Sequence, residues 1–264
     1  MLKLFELAKI FFKDQIIYRF DVSISAVETV GRLLFAWLIW GAVFAGRDVV
    51  GGFTFEVMLL YYLVSSFIAT LNGTMLGVSG EISHEIRNGN FTKFMVIPLN
   101  PQLYWLSQNF GVVTYLAMFI LPVSVIGGFV FGTGGFVFQP ALFLGLLMIP
   151  VGLAFMVSFH FFIGILAFKF QEVGFFLHIQ HEVVNFVQGG VVPLVLLPAA
   201  ALDVIRLLPF PHVVFTPAML IIGQMDLREG FVSLGILVFW LAAFTVIAQV
   251  TYHRLRVKYD GVGI

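Results

Sequence analysis

The sequence predicts an all-α polytopic membrane protein with six transmembrane helices, and two observations carry that prediction. The 264 residues are 60% hydrophobic and only 11% charged, with a mean hydropathy of +1.04, whereas a soluble domain carries about 25% charged residues. A chain this apolar cannot cover itself with a polar surface. The second observation is where the charges are missing. Residues 57–80, 183–202 and 231–253 hold no Asp, Glu, Lys or Arg, and residues 94–168 hold none across 75 positions. A spanning helix needs about 20 mostly apolar residues, so each run can cross a bilayer.

The first segment, "MLKLFELAKIFFKDQIIYRF", interleaves Phe5, Ile10, Phe11, Phe12, Ile16, Ile17 and Phe20 with Lys3, Glu6, Lys9, Lys13 and Asp14. That mixture suits a helix over residues 1–21 lying in the membrane interface. A frayed tail is the alternative, and it would leave the apolar side chains poorly hidden. With no clean apolar core before a small-residue cleavage site, the segment is expected not to be a secretory signal. Span one covers about 22–46, despite Glu28 and Arg32, and span two is 57–80. The long uncharged run is broken by "GGFVFGTGGFVFQP" and reads as spans three and four. Spans five and six follow at 183–202 and 231–253.

One stretch, "LLPFPHVVFTPAMLIIGQM", threatens that count because it is uncharged yet holds Pro209, Pro211 and Pro217. Proline inside a helix removes a hydrogen bond and costs about 3 kcal/mol or more. Non-helical backbone at membrane depth must be shielded by protein or face water. Residues 193–225 are therefore expected to form a broken, re-entrant or interfacial hairpin at the external end. Charge bookkeeping agrees. With six spans and both termini cytoplasmic, Lys3, Lys9, Lys13, Arg19, Arg87, Lys93, Lys169, Arg254, Arg256 and Lys258 lie inside, ten against the external Arg47, Arg206 and Arg228. A seventh span would put "HRLRVK" outside.

The chain reads as a single transmembrane domain, 1–264, with no internal repeat of the inverted-transporter kind. Its formal net charge of zero gives no reason to expect a nucleic-acid partner, and the lack of cysteine excludes disulfides, thiolate metal sites and cysteine nucleophiles.

Between spans two and three stands "GEISHEIRNGNFTKFMVIPLNP", far more polar than a short connection requires. Ser79 is placed to cap a helix through Arg87, and Gly89 to end it. Glu81 and Glu85 share a helical face, as do Ile82 and Ile86. Two like charges at that spacing weaken an isolated helix, which points to an external partner. Phe91, Phe94 and Met95 are expected to project before Pro98 turns the chain back. A knob of this kind fits a groove on a soluble protein; a solvated loop joining two spans is the other reading.

At this point a family resemblance appears. "GEISHEIRNGNFTKFMVIPLNPQLYWLSQNFG" resembles the segment after the second span in permeases of ATP-binding cassette type 2 exporters, where Glu-x-Arg-x-Gly, a hydrophobic patch and a Pro recur. "NFVQGGVVPLVLLP", "LPFPHVVFTPAMLIIG" and the terminal "HRLRVKYDGVGI" follow in the order of one bacterial branch, so the resemblance covers nearly the whole chain. It implies an interfacial N-terminal helix, six spans, external re-entrant hairpins and a cytoplasmic coupling helix, here residues 79–97, that docks on a separate ATPase. By position Glu81, Glu85, Arg87, Gly89, Phe91 and Lys93 map to that coupling element. It further implies a second permease copy or related chain, a bacterial cytoplasmic membrane, and ATP and magnesium held by the partner ATPase rather than by this chain. The sequence has no G-x-x-x-x-G-K-[ST] loop and no Gly-Lys dipeptide, so its energy would come in trans.

Other polar groups carry weaker readings. His178, His181 and Glu182 share one helical face and could ligate a metal or relay a proton, or simply form an interfacial polar face. A relay there would make the chain a gradient-driven transporter or channel, the alternative to an ATP-driven exporter. A membrane-embedded enzyme ranks below both, because no nucleophile or ligand constellation stands at a common depth. Asn72, Gly73 and Thr74 interrupt span two and suit helix packing or a pathway. His160 is expected to bond a neighbouring helix, His212 to order the proline-rich hairpin, and Glu28 with Arg32 to form a helical ion pair. The 32 phenylalanines are compatible with an amphiphilic or hydrophobic substrate.

Overall fold

The computed structural model of the chain describes residues 2–17, 19–133, 138–170, 182–190 and 193–258. It is helical throughout its regular parts. Helix α1 (Leu2–Asp14) leads into α2 (Arg19–Val43), followed by α3 (Phe55–Gly73), α4 (Leu76–Arg87), the short α5 (Thr92–Val96), α6 (Pro101–Phe131) and α7 (Pro140–Ile165). After a helical stretch at 182–187 come α8 (Ala199–Ile205), α9 (Phe215–Ile221) and α10 (Leu227–Leu255). The protein is a multi-pass membrane protein. Among the described residues, five helices are long and apolar enough to cross a bilayer: Ser23–Val43, Phe55–Arg87, Pro101–Phe131, Pro140–Phe168 and Leu227–Leu255.

Helix α7 is the spine. It packs against α10, α4, α9 and α6, and its glycines let the neighbours approach. A Cβ on Gly145 would lie 2.8 Å from Ile221 Cγ1, one on Gly152 would lie 3.3 Å from Val213 Cα, and one on Gly164 would lie 2.8 Å from Ile82 Cβ. Small residues at such crossings are the usual means of close helix packing in lipid, where burial against another apolar surface supplies little. The same device seats α1. A Cβ on Gly111 of α6 would overlap the Ala8 carbonyl oxygen, and Phe11 and Phe12 meet Tyr104 and Tyr115 edge-on at 5.8 and 5.4 Å. Part of the apolar side of α1 is thus covered by α6, while Phe5 and Ile10 stay exposed.

Two expected span boundaries are corrected. Span two does not end at residue 80. Helix α3 yields at Thr74 and Met75 and continues as α4 to Arg87, giving one apolar rod of 33 residues. Ser79 is no cap but an interior residue of α4, and the N-cap position is Met75. The proposed capping sequence lost because the helix already had a donor run upstream to join. The fifth span, expected over 183–202, is not continuous. The helix at 182–187 stops at Gly189, whose φ is +76°, and Pro193 and Pro198 hold the following backbone out of helical pairing. Among the described residues, a sixth crossing is available only as the bent pair Ala199–Ile205 and Phe210–Ile221, which turns through 80°. Pro209 and Pro211 lie at this bend, and Gly189 and Pro193 interrupt the helix upstream of it.

Tyr61 of α3 ties this broken segment down by donating its hydroxyl to the Gly189 carbonyl at 2.6 Å, and its ring meets Phe215 edge-on at 6.2 Å. Spans three and four are separated as expected, with Gly132 at φ +65° ending α6 and Pro140 opening α7.

Candidate functional site

The polar stretch at residues 80–101 folds into an elbow at one end of the bundle. Helix α4 ends in a Schellman arrangement: the Asn90 N–H donates to the Glu85 carbonyl at 2.9 Å, and the Gly89 N–H to that of Ile86 at 3.2 Å. Gly89 supplies the left-handed backbone, φ +77°, that this turn requires. The expected stop is where the sequence put it.

The expected projecting aromatics are not. Phe91 is fully buried and Phe94 nearly so, while Met95 is half-buried. The Phe91 ring sits among Phe94 at 5.2 Å, Phe168 at 5.2 Å and Tyr252 at 6.3 Å. Phe94 in turn packs on Tyr104 at 5.2 Å and Trp105 at 5.5 Å. Sequence reasoning took these rings for a knob because they stand in a polar loop between two spans. In the fold, the ends of α7 and α10 present rings to that loop, and burying Phe91 and Phe94 there plugs the elbow into the bundle. The exposed apolar group is Val96 instead, 81% exposed, followed by Ile97 and Pro98. A Val beyond a buried Phe pair was legible only as part of a generic apolar run.

The charges divide in two. Glu85 is half-buried and paired inside the elbow, its carboxylate 2.7 Å from Lys93 Nζ, whose ammonium also lies 5.0 Å from the centre of the Phe94 ring. Glu81, His84, Arg87 and Asn88 lie on the exposed side of α4, with Asn88 Nδ2 donating to His84 Nε2 at 2.8 Å. The opposite side, with Ser79, Ile82, Ser83 and Ile86, is buried. The Glu81/Glu85 repulsion that pointed to an external partner is thus met in part by Lys93 of the same chain.

Behind the elbow lies a polar cluster that sequence reasoning missed. Asn100 caps α6, its Oδ1 accepting from the Gln102 N–H at 2.9 Å and from Gln249 Nε2 of α10 at 3.0 Å. Gln249 Nε2 also donates to Gln102 Oε1. Gln102 Nε2 reaches Ser158 Oγ of α7 at 3.0 Å, and Thr245 Oγ1 lies 3.3 Å from that oxygen. A lone Gln or Ser in each apolar run was visible, but not that three runs bring them to one point.

The remaining candidates are scattered. Asn72 is buried and bonds back to Ile68 O at 3.0 Å, Thr74 to Leu71 O at 2.9 Å, and Gly73 is exposed; together they make the break between α3 and α4. His178 and His181 lie outside the described residues, and Glu182 is exposed at the start of the stretch 182–187. His160 Nδ1 stands 3.3 Å from Ser79 Oγ, the interhelical partner expected of it. His212 donates from Nε2 to the Arg206 carbonyl at 2.9 Å, which leaves Nδ1 to accept from Thr216 Oγ1 at 2.9 Å and ties the hairpin together. Glu28 and Arg32 form the expected pair at 2.5 Å.

With this architecture in view, a comparison with protein families decides the lineage: the family model described as ABC-2 family transporter protein matches residues 30–263. This chain belongs to the ABC-2 transporter family. The match begins inside α2 and takes in the elbow, the broken hairpin and α10, so every candidate above except Glu28 lies within it. No curated protein and no solved structure matches the chain significantly. For an ABC-2 family permease the arrangement offers a surface rather than a reaction centre: a rigidly seated elbow with a charged and apolar outer face.

Proposed function

We propose that this ABC-2 family permease is the membrane subunit of an exporter driven by a separate cytoplasmic ATPase, and that the ATPase docks on the elbow at residues 79–97. The observation that carries this reading is the two-sided construction of the elbow. Its inner side is anchored by Phe91 and Phe94, while its outer side presents Glu81, His84, Arg87 and the exposed Val96. A flexible loop absorbs a push; an anchored elbow passes it to the helices that hold it. Gly89 and Phe91 then serve by shaping and seating the element, the Glu85–Lys93 pair by bracing it, and Glu81, Arg87 and Val96 by touching the partner.

The basic residues at this end of the bundle support its placement in the cytoplasm with both termini, the membrane being the bacterial cytoplasmic one. Two permease copies, or this chain and a related one, would enclose the pathway, and the hairpin around residues 193–225 would cap its external exit. An amphiphilic or hydrophobic substrate suits so apolar a wall. ATP and magnesium would be bound by the partner.

The test is a mild-detergent capture of the tagged protein from its native membrane, with mass spectrometry of the associated proteins. It is run beside a variant carrying Glu81→Ala, Arg87→Ala and Val96→Ala. A soluble protein with a phosphate-binding loop should accompany the native chain and be lost from the variant. Intact complexes without such an ATPase would refute the reading and direct attention to a gradient-driven mechanism through His178 and His181.

A further inference from the structure

Behind the elbow, four side chains from three helices meet in one hydrogen-bonded network. The one hydroxyl proton of Ser158 goes to the Ala154 carbonyl at 2.9 Å. Its oxygen is therefore left to accept from Gln102 Nε2 and from the Thr245 hydroxyl. Gln249, four residues and about one turn along α10 from Thr245, donates to both Asn100 Oδ1 and Gln102 Oε1. Gln102 and Ser158 are each 4% exposed. Water does not compete at this depth, and amides without partners would be left unsatisfied.

We propose that Gln102, Ser158, Thr245 and Gln249 are a clasp that makes the elbow and the adjoining ends of α6, α7 and α10 move as one body. This rests on the reading of the elbow as the ATPase dock. Helix α4 is joined to α7 through Ser79 and His160 and through the close crossing of Ile82 on Gly164, so it belongs to the same body. Helix α3 carries none of the clasp residues; it packs on α2 and α6 and holds the broken hairpin through Tyr61 and Gly189, and the hairpin itself rests on the far half of α7 at Gly145 and Gly152. The dividing line falls at Thr74 and Met75, where the rod of α3 and α4 is interrupted. A push on the elbow would tilt the clasped ends relative to α3, opening or closing the far end of the bundle. The four residues are positioning residues: they would touch neither substrate nor ATPase.

The chain contains no cysteine, so pairs of spin labels can be placed without background. One pair, Leu103→Cys with Val250→Cys, lies within the clasped body; a second, Glu56→Cys at the exposed start of α3 with Val250→Cys, spans the dividing line. All three positions are exposed. The first pair should give one narrow distance in the isolated permease, unchanged when the co-purified ATPase binds a non-hydrolysable nucleotide, while the second pair shifts. Gln102→Leu should broaden the first distance even in the isolated permease. In the complex it should lower permease-dependent stimulation of ATP hydrolysis about fivefold or more without loss of ATPase capture. Ser158→Ala should act in the same direction and Ser158→Thr, which keeps the hydroxyl, should not. A narrow first distance in Gln102→Leu, or a loss of thermal stability with stimulation intact, would overturn the clasp. If no ATPase co-purifies with the native chain, the docking proposal falls by itself, and the first distance in the isolated permease still decides whether the clasp holds.

Discussion

Replacing Phe91 by Ala separates the seated elbow from the projecting knob that the sequence suggests. Substituting a buried Phe by Ala typically costs about 3–5 kcal/mol. Here the ring has three aromatic neighbours, Phe94, Phe168 and Tyr252, each such pair contributing roughly 0.5–1.5 kcal/mol beyond burial. The elbow lies at an end of the bundle, where the walls can partly collapse, so the low end applies and about 3 kcal/mol is expected. For a chain of this size that corresponds to a drop of roughly 6–12 °C in apparent Tm. Trp105, fully buried and 5.5 Å from Phe94, makes intrinsic fluorescence in mild detergent a suitable readout. Val96→Ala is the matched control: its exposed side chain should leave the Tm unchanged within about 0.5 kcal/mol while reducing ATPase capture. The reasoning is refuted if Phe91→Ala melts with the native protein yet no longer captures the ATPase, since that pattern belongs to an exposed docking ring.

Four further outcomes are expected. Gly89→Ala should destabilise the protein by about 1–2 kcal/mol, because its φ of +77° is a left-handed conformation that costs a residue with a Cβ that much; thermal unfolding measures it. Gly164→Ala should cost about 1–3 kcal/mol by driving α7 off Ile82, whereas Gly31→Ala, with no atom near its added Cβ, should be neutral in the same assay. Gly111→Ala should lift α1 from α6, seen as faster proteolysis after Lys9 and Lys13 with the rest of the chain intact; unchanged cleavage would argue against the crossing. Tyr61→Phe should loosen the hairpin by removing the hydroxyl bond to the Gly189 carbonyl, at about 1 kcal/mol, and hydrogen exchange around residues 186–190 should rise.

Much of the elbow was legible because its signals are local. Gly89 ends α4 since only an unencumbered backbone takes the turn there, whereas the Asn100 cap with Pro101 that opens α6, an equally local signal, was passed over in favour of Pro98. The Glu28–Arg32 pair needed only helical spacing. What misled was the inference from neighbourhood to exposure. Phe91 stands in a polar stretch, and its burial depends on Phe168 and Tyr252, which lie 77 and 161 positions away along the chain. Ser79 reads as a cap only if α3 has ended, and whether it has ended depends on backbone bonds at Asn72 to Met75.

Composition and the spacing of charge by themselves determined that this is a multi-pass membrane protein, because a bilayer excludes unpaired polar backbone and ions whatever the tertiary arrangement. They also placed the glycine and proline breaks, which act through the local backbone. The tertiary structure alone decided which face of each helix is inside. In an environment as apolar as the side chains, hydropathy no longer distinguishes core from surface. Close crossings at Gly111, Gly145 and Gly164, the ring cluster around Phe91, and the meeting of Gln102, Ser158 and Gln249 make that choice, and each requires residues far apart in the chain to arrive at one place.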